Sequence, residues 1–262
     1  RFKPTVIAGT PSYALYLGRI MQEMGIDPAK SSVKTLFTGG EPAMGIDRTR
    51  ERIENLWGCR TAEFYGCTEV SPHAGGFTCP FSEAGSEVFT HLMEDIQIWE
   101  LVDPDSKETI PDGERGLTVC TSLNSESSPQ LRFLVGDYTI YNRDGCECGR
   151  NHVRAIGSFT GRADDLINLR GVKFFPSEVE QAVREVEGVG DEFKIVLSEK
   201  EDGLHVMDVR IEHASHDMNV AGEVEERIRI RCEVKASVEV LAPNSLPKTE
   251  FKAKRVRDNR PK

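Results

Sequence analysis

The chain of 262 residues lacks any long apolar run. No stretch approaches the roughly 20 apolar residues that a membrane-spanning helix needs. Its first residues, RFKPTVIAG, lack the apolar segment of a secretory signal peptide, and they do not begin with Met. We therefore expect a cytoplasmic protein without a membrane partner, and we expect its natural N-terminus to lie upstream of residue 1.

The sequence also lacks a basic excess and the dense cysteine spacing of a secreted disulfide scaffold. Its net charge of −10 argues against general nucleic-acid binding, although basic residues cluster between Lys248 and Lys262. Seven cysteines is an odd number, which favours free thiols, some of them on a metal, over disulfide pairs. The length allows one large domain or two smaller ones.

The first third of the chain alternates between apolar strands and amphipathic helices. We predict strands at 5–8, 33–38 and 62–65, and helices from a cap at Ser12 to Gly25 and at about 46–57. This alternation indicates parallel β-α units, in which ligands bind beyond the carboxyl ends of the strands. The stretches GGEP (39–42) and YGCTE (65–69) fall at such ends.

The residues of these two stretches suit a nucleotide. Gly39 and Gly40 allow the backbone to approach a flat ring or a phosphate. Tyr65 offers a ring face, Thr68 offers a hydroxyl to a phosphate oxygen, and Glu69 offers a carboxylate to Mg²⁺. The alternative is a pair of ordinary strand-to-helix turns, where these residue types are common.

From about residue 85 the pattern changes to short segments, which suggest an antiparallel β subdomain with strands near 96–102 and 116–121. It ends in LRFLVGDYTIY, which contains Arg132 and Asp137. An Asp that follows Gly136 at a strand end can accept hydrogen bonds from the vicinal hydroxyls of a ribose. A simple turn aspartate is the alternative.

The next feature is the loop DGCECGRNH. Cys146 and Cys148 can chelate a soft metal through their thiolates, or they are two free thiols in a turn. A closed site needs further ligands from elsewhere in the chain. The candidates are Cys79, His73, His91 and His152.

The stretch GRADDLINLRGVKFFPSEVE (161–180) opens with a predicted turn at Gly161 and Arg162. A short strand and a second turn at Arg170 and Gly171 follow. A helix then starts after Pro176, with Ser177 as its N-cap and Glu180 completing a capping box. The remaining pattern is helix, two strands, helix and strand, which predicts a small α/β domain.

Taken together, GGEP, YGCTE, the LRFLVGD segment and the 161–180 stretch resemble the adenylate-forming enzymes, and most closely the phenylacetate–CoA ligase family. The resemblance extends from about residue 2 to residue 257. It implies the C-terminal part of that α/β fold: a partial large domain at 1–160, with a mixed sheet and a small β subdomain, and a mobile α/β lid at 161–262. The family's Ser/Thr/Gly-rich phosphate loop has no counterpart here, because GTPS (9–12) is too short.

The resemblance also implies roles for individual residues. It assigns cofactor binding to Gly39, Gly40, Glu41, Pro42, Tyr65, Gly66, Arg132, Asp137, Arg162, Asp164 and Gly171. Thr68 would contact a phosphate and Glu69 the Mg²⁺, and the lid would rotate at Asp164. Lys252 matches the mobile lysine that reaches the carboxylate and the α-phosphate. The family usually carries Gly before this lysine, whereas Phe251 stands here, so Lys248 and Lys254 remain alternatives.

Part of the family carries a Cys, then a His shortly before a Glu-Asp pair, and later a CxCGR loop. Cys79, His91, Cys146 and Cys148 match this order and would form a structural zinc site without an open position. The separation of Cys79 from His91 is longer than the family suggests, so His73 is an alternative fourth ligand.

The implied function is an ATP-dependent ligase of a small aromatic or acyl carboxylic acid with coenzyme A, acting through an acyl-adenylate. The implied cofactors are ATP or AMP, Mg²⁺, CoA and structural Zn²⁺, and a homodimer is one possible assembly. A first alternative is an adenylate-forming enzyme that passes its acyl group to an amine or a carrier protein. A second is a non-catalytic, zinc-stapled nucleotide-binding remnant, which the missing phosphate loop favours.

Overall fold

The computed structural model describes residues 2–41, 45–79, 88–249 and 253–261, with the backbone alone at 47, 72–74 and 160. The chain forms two compact units, Arg1–Asp164 and Asp165–Lys262. The division lies a few residues after the boundary expected at 160/161. None of the described helices is long and apolar enough to cross a membrane.

The described part of unit 1 contains a nine-stranded mixed sheet with two helices. Its elements are β1 Val6–Gly9, α1 Pro11–Glu23, β2 Thr35–Gly39, α2 Asp47–Trp57, β3 Arg60–Cys67, β4 Ser71–Thr78, β5 Phe89–Leu92, β6 Gln97–Val102, β7 Arg115–Ser122, β8 Phe133–Asn142 and β9 Arg154–Arg162. The strand order is β1-β2-β3-β4-β5-β9-β8-β7-β6. Strands β1, β2 and β3 are parallel, and every later neighbour pair is antiparallel.

The two helices pack together through a close contact at Gly18. A Cβ on Gly18 would lie 2.5 Å from the Leu56 Cδ2 atom, so a larger residue here would force the Leu56 side chain to move. The buried indole of Trp57 donates a hydrogen bond to the Ala14 carbonyl at 3.0 Å, which fixes the pair. The predicted cap at Ser12 is wrong, because Thr10 caps α1. Proline is favoured at the first position of a helix, so α1 starts at Pro11, closer to the N-terminus than a cap at Ser12 implied.

Two turns predicted in the β subdomain are strand residues instead. Asp137 lies within β8 rather than at a strand end, and Gly161 and Arg162 belong to β9. Gly136 takes φ +85°, and it falls at the irregularity in the β7–β8 pairing, between Leu134, which pairs with Val119, and Tyr138, which pairs with Leu117. Glycine therefore marks an irregularity inside a strand here, and it does not end the strand.

Unit 2 contains a two-stranded hairpin, a four-stranded sheet and two helices within its described residues. Its elements are β10 Ile167–Leu169, β11 Val172–Phe174, α3 Pro176–Arg184, β12 Val189–Glu199, β13 His205–His213, α4 Val220–Cys232, β14 Ser237–Leu241 and β15 Val256–Asp258. The sheet order is β14-β13-β12-β15. Its core joins the inner faces of α3 and α4 to the sheet, and includes Val179, Ile195, Val209 and Ile228.

The hairpin of unit 2 confirms the turn predicted at Arg170 and Gly171. Both residues have positive φ, +55° and +87°, between the paired residues Leu169 and Val172. Two successive positive φ values define a type I′ turn, which matches the twist of a hairpin.

The predicted cap of α3 is wrong. The helix begins at Pro176, and Glu178, its third residue, accepts a hydrogen bond from the Phe175 N–H at 2.6 Å. Glu180 forms an ion pair with Arg184 one turn further on. The structure therefore assigns to Glu178 the part that the sequence pattern assigned to Glu180.

A buried carboxylate on β12 holds the C-terminal segment of unit 2. Glu192 accepts hydrogen bonds from the Thr249 N–H at 2.8 Å, the Thr249 hydroxyl at 2.9 Å and the Arg255 guanidinium at 2.6 Å. The Arg255 guanidinium also lies over the Phe193 ring, 4.7 Å from its centroid. Burial alone would raise the pKa of Glu192, but the Thr249 amide and the Arg255 charge outweigh it and hold the pKa below its usual value.

We expect Glu192→Gln to lower the free energy of unfolding by about 2 kcal/mol at pH 7, because charged hydrogen bonds within the protein are lost. Since the folded pKa lies below the unfolded one, this stabilisation is present above about pH 4.3 and disappears as the pH falls through the folded pKa. Urea denaturation across this pH range measures the difference between the two proteins.

Glu226→Gln is the matched control. Glu226 also pairs with an arginine, Arg229 at 2.6 Å, and its pKa is also lowered, but both side chains are more than half exposed. This variant should unfold like the original protein, because exposed ion pairs contribute little. Equal stability losses from both substitutions would contradict the role of Glu192.

Candidate functional site

The loops after β2 and β3 lie side by side because the strands are parallel and in register. Gly39, at the end of β2, pairs with Phe64 on β3. A side chain on Gly39 would meet the Phe64 carbonyl at 2.5 Å, so strand packing alone requires this glycine. Gly40 differs, because it takes φ +80°, and within the part of the chain that the structure describes the nearest atom to an added Cβ is Thr10 Cγ2 at 3.9 Å. The backbone of Gly40 is therefore less crowded by the described residues than that of Gly39.

Glu41 connects the loop after β2 to the first turn of α1. Its carboxylate accepts hydrogen bonds from the Ser12 N–H at 3.0 Å and the Ser12 hydroxyl at 2.8 Å, in the first turn of α1. A negative charge at a helix N-terminus is stabilising. Glu41 therefore fixes the loop after β2 against α1, a contact that sequence spacing gave no means of finding.

Tyr65 and Asp137, two residues to which the resemblance assigns cofactor binding, are in direct contact. The Tyr65 hydroxyl donates a hydrogen bond to Asp137 Oδ2 at 2.6 Å. The Tyr65 ring stacks on Phe159, with centroids 3.5 Å apart and planes 11° from parallel. Burial and the Asp137 charge raise the pKa of Tyr65 well above its usual value, so the hydroxyl stays protonated. Phe159 was not among the predicted site residues.

Arg162 extends this cluster toward the end of unit 1. It pairs with Asp137 in the β8–β9 register, and its guanidinium lies 3.6 Å from Asp137 Oδ1. The same guanidinium bonds Asp164 at 2.9 Å. Four of the predicted residues thus form one chain of polar contacts: Tyr65, Asp137, Arg162 and Asp164.

Thr68 and Glu69 occupy an exposed turn that begins where β3 ends at Cys67. The preceding residue, Gly66, falls at an irregularity in the β3–β4 pairing, between Tyr65 and Cys67. The hydroxyl and the carboxylate are therefore accessible to a ligand, and their loop follows the strand that carries Tyr65.

The structure does not place every predicted residue in this cluster. Arg132 has φ +47° and bonds Glu100 on β6 at 3.0 and 3.1 Å, rather than Asp137. Gly171 lies in unit 2, where its N–H donates to the Asn168 side chain at 3.0 Å. Pro42 and Lys252 lie outside the described residues.

The sequence analysis did not predict the buried carboxyl group of Glu63. Glu63 on β3 is fully enclosed, and it accepts a hydrogen bond from the Ser158 hydroxyl at 2.6 Å. Burial raises the pKa of Glu63 to about 7. Its only sequence signal was an acidic residue within the apolar strand RTAEFYGC.

The four predicted metal ligands come together. One ligand atom from each of Cys79, His91, Cys146 and Cys148 lies within 4.8 Å of all the others. Cys79 Sγ is 3.9 Å from Cys146 Sγ, and Cys148 Sγ is 3.3 Å from His91 Nε2. The structure thus brings His91 into the group, whereas the side chain of the alternative, His73, lies outside the described part of the chain.

The ligand set fits a tetrahedral zinc ion. His91 Nδ1 lies 3.3 Å from the His152 carbonyl, which leaves Nε2 to face the thiols. Burial lowers the pKa of His91, which favours the neutral imidazole that metals bind. Desolvation raises the pKa of the Cys148 thiol. Hydrogen bonds from the Arg150 amide and from the neighbouring thiols outweigh this effect and lower the pKa of Cys148 to about 7.

Residues 1–122 match the family model of the AMP-binding enzymes, and residues 171–260 match that of the AMP-binding enzyme C-terminal domain. The phenylacetate-coenzyme A ligase of Thermus thermophilus is 33% identical over 279 residues, covering 99% of this chain and 61% of the relative. That of Pseudomonas putida is 30% identical, covering 99% and 58%. The chain therefore spans about 60% of the length of these relatives.

Solved structures agree with the family models. A 2-hydroxyisobutyryl-CoA ligase in the postadenylation state, in complex with 2-HIB-AMP, is 32% identical with a TM-score of 0.88, over 98% of this chain and 55% of that one. A benzoate CoA ligase from Burkholderia xenovorans shares the fold at 21% identity and a TM-score of 0.64, over 96% and 50%. Since the relatives match this chain almost throughout, it belongs to the phenylacetate–CoA ligase family of the adenylate-forming enzymes.

Proposed function

We propose that the protein is an ATP-dependent acid–CoA ligase. In the first step, an oxygen of the substrate carboxylate attacks the α-phosphorus of ATP, and pyrophosphate leaves. In the second step, the CoA thiol attacks the acyl carbon, AMP leaves and the thiol proton goes to solvent. The observation that carries the proposal is the Tyr65–Asp137–Arg162 cluster beside the loops of β2 and β3.

The cluster supports nucleotide binding through groups of different chemistry. Asp137 would accept the ribose hydroxyls, and the exposed Thr68 would bond a phosphate oxygen. Glu69 would hold the Mg²⁺ ion that offsets phosphate charge, since carboxylate oxygens are its preferred protein ligands. The backbone at Gly40 would lie along the base. The protein's part in such chemistry is positioning and charge neutralisation.

The lysine of the adenylation step is proposed to be Lys252. A mobile cation that approaches both reacting groups would reduce the repulsion between the carboxylate and the α-phosphate. The flanking residues Thr249 and Arg255 are both held by Glu192, which supports an ordered segment on each side of this position.

The substrate class is proposed to be a small aromatic or acyl carboxylic acid. The support is the activity of the relatives, which are phenylacetate-coenzyme A ligases, and of the structural neighbour at 32% identity, which is a 2-hydroxyisobutyryl-CoA ligase. The decisive experiment supplies the full-length protein with ATP, Mg²⁺, CoA and phenylacetate, and measures thioester and AMP. Acyl-adenylate formation without any thioester would favour an amine or a carrier protein as acceptor.

The metal cluster is proposed to be a structural zinc site. Three thiols and one imidazole complete a tetrahedron, so no position remains for substrate or water. The site would join Cys79, which follows β4, and His91 on β5 to the loop of Cys146 and Cys148 between β8 and β9. Its role would be to stabilise the β subdomain that presents Asp137.

We expect about one zinc ion per chain, and we expect Cys146→Ser to lose most of it. Loss of a structural metal is among the largest single-residue effects, about 4 kcal/mol or more. In a domain of this size that corresponds to roughly 8–16 °C in melting temperature. Elemental analysis and thermal denaturation give the two measurements.

The matched control is Cys59→Ser, because Cys59 is half-buried and lies outside the cluster. It should keep the zinc and change the melting temperature little. Unchanged metal content and stability in Cys146→Ser would show that the four residues do not bind zinc.

We expect Lys252→Ala in the full-length protein to slow adenylation by about 10²–10³-fold, the usual effect of removing one stabilising group from a transition state. Acid-dependent exchange of pyrophosphate into ATP measures this step. Thioester formation from a supplied acyl-adenylate should change little, because no α-phosphate attack is involved.

Lys248→Ala and Lys254→Ala are the controls for this position. Both should retain pyrophosphate exchange. If either substitution abolishes exchange while Lys252→Ala retains it, that other lysine is the adenylation lysine. The match to Lys252, which Phe251 precedes in place of the family's usual Gly, would then be wrong.

A further inference from the structure

The two flanks of the proposed adenylation lysine contain no helix or strand. Residues 242–249 and 253–255, the described residues on the two sides of that position, lie between the end of β14 and the start of β15. Hydrogen bonds of a regular element therefore do not fix these flanks. Their position depends on the contacts that they make with the sheet of unit 2.

Two buried carboxylates hold the N-terminal flank by its backbone amides. Glu212 on β13 accepts a hydrogen bond from the Leu246 N–H at 2.6 Å, and Glu192 on β12 accepts one from the Thr249 N–H at 2.8 Å. Hydrogen bonds to an ionised acceptor are stronger than those between neutral groups. Each glutamate therefore fixes the backbone of the residue that it binds.

Strand β12 holds the C-terminal flank at several positions. Glu192 accepts a hydrogen bond from the Arg255 guanidinium at 2.6 Å. The Lys194 ammonium donates to the Lys254 carbonyl at 2.7 Å, and the Ile195 N–H donates to the Arg255 carbonyl at 2.8 Å. The backbone of this flank thus has two contacts with β12 that do not involve Glu192.

Glu192 is shared by the two flanks. Its Oε1 atom accepts from the Thr249 N–H, and its Oε2 atom accepts from the Thr249 hydroxyl and from Arg255. The Arg255 guanidinium is itself held over the Phe193 ring, 4.7 Å from its centroid. One carboxylate therefore joins a residue three positions before residue 252 to a residue three positions after it.

We propose that Glu192 is a positioning residue for the adenylation step, which sets the place of Lys252 by joining both of its flanks to β12. The inference rests on the proposed ligase function and on the assignment of the lysine to Lys252. Replacing Glu192 would remove the bonds of the Thr249 amide and hydroxyl, whereas the carbonyls of Lys254 and Arg255 would keep theirs. The two flanks could then shift against each other, and a misplacement of about 1 Å at a reacting group can slow a reaction about 10²-fold.

Glu192→Gln in the full-length protein tests this role, because it removes the charge and keeps the size of the side chain. Acid-dependent exchange of pyrophosphate into ATP measures adenylation. We expect the kcat of exchange to fall about tenfold with little change in the KM for ATP, since the lysine would act on the transition state. Thioester formation from a supplied acyl-adenylate should change little.

The same substitution in a Lys252→Ala background separates positioning from stability. Because Glu192 would act through Lys252, adding Glu192→Gln to Lys252→Ala should slow the remaining exchange no further. A merely structural role would slow exchange by the same factor in both backgrounds, and that result overturns the proposal.

Glu212→Gln is the matched control. It removes another buried carboxylate that binds a backbone amide of the same flank, but it leaves Glu192 bonded to Thr249 and Arg255. At a temperature where both variants are folded, Glu212→Gln should retain the kcat of exchange. An equal fall in both variants overturns the proposal, because it would reflect a general loosening of unit 2.

Thr249→Val decides the question if Glu192→Gln is too unstable to assay. It removes the hydroxyl bond to Glu192 and retains the amide bond, so the kcat of exchange should fall about fivefold, the effect of one hydrogen bond. Unchanged exchange in either variant overturns the proposal. Exchange that persists in Lys252→Ala would remove the assignment of the lysine, and an unaltered full-length protein without exchange would remove the ligase function, in each case with this inference.

Discussion

The in-register parallel pairing of β1, β2 and β3 is the constraint on which the candidate site depends. Parallel neighbours carry their carboxyl ends to the same edge, so three loops that are distant in sequence become adjacent. Glu41 then fixes the loop after β2 to the first turn of α1 through Ser12. Gly39 allows β2 to lie close against Phe64, and Gly40 supplies the positive φ with which the chain leaves the strand.

The second half of the site comes from the antiparallel strands, and electrostatics explains how it persists. Asp137 lies inside a strand with a side chain 10% exposed, where an ionised carboxylate is costly unless it is paired. Tyr65 and Arg162, from two different strands, offset that cost at the two carboxylate oxygens, Tyr65 at Oδ2 and Arg162 at Oδ1. Arg162 also bonds Asp164 at the last residue of unit 1. The carboxylate proposed for ribose and the residue proposed as the hinge thus share one arginine.

Sequence alone predicted the family, through the resemblance of its motifs, and the order of most elements, through the hydrophobic period. It placed the caps of α1 and α3 wrongly, because Pro11 and Pro176 start their helices earlier than the serines suggested. It also took Gly136 and Gly161 as turns, since an irregularity inside a strand has the same local composition as a turn. Glu41, Glu63 and Glu192 act through partners 29, 95 and 57 to 63 residues away, which no local pattern shows.

Unit 2 has a hydrophobic core of its own. Its core is drawn from residues 167–256 alone, so it can keep its shape without contributions from unit 1. Its last strand, β15, pairs in parallel with β12, and Glu192 binds Arg255 just before that strand begins. At the other end of β15, Arg260 donates to the Asn168 carbonyl of the hairpin at 2.6 Å. One short strand therefore connects the segment proposed to carry the adenylation lysine with the hairpin at the start of unit 2.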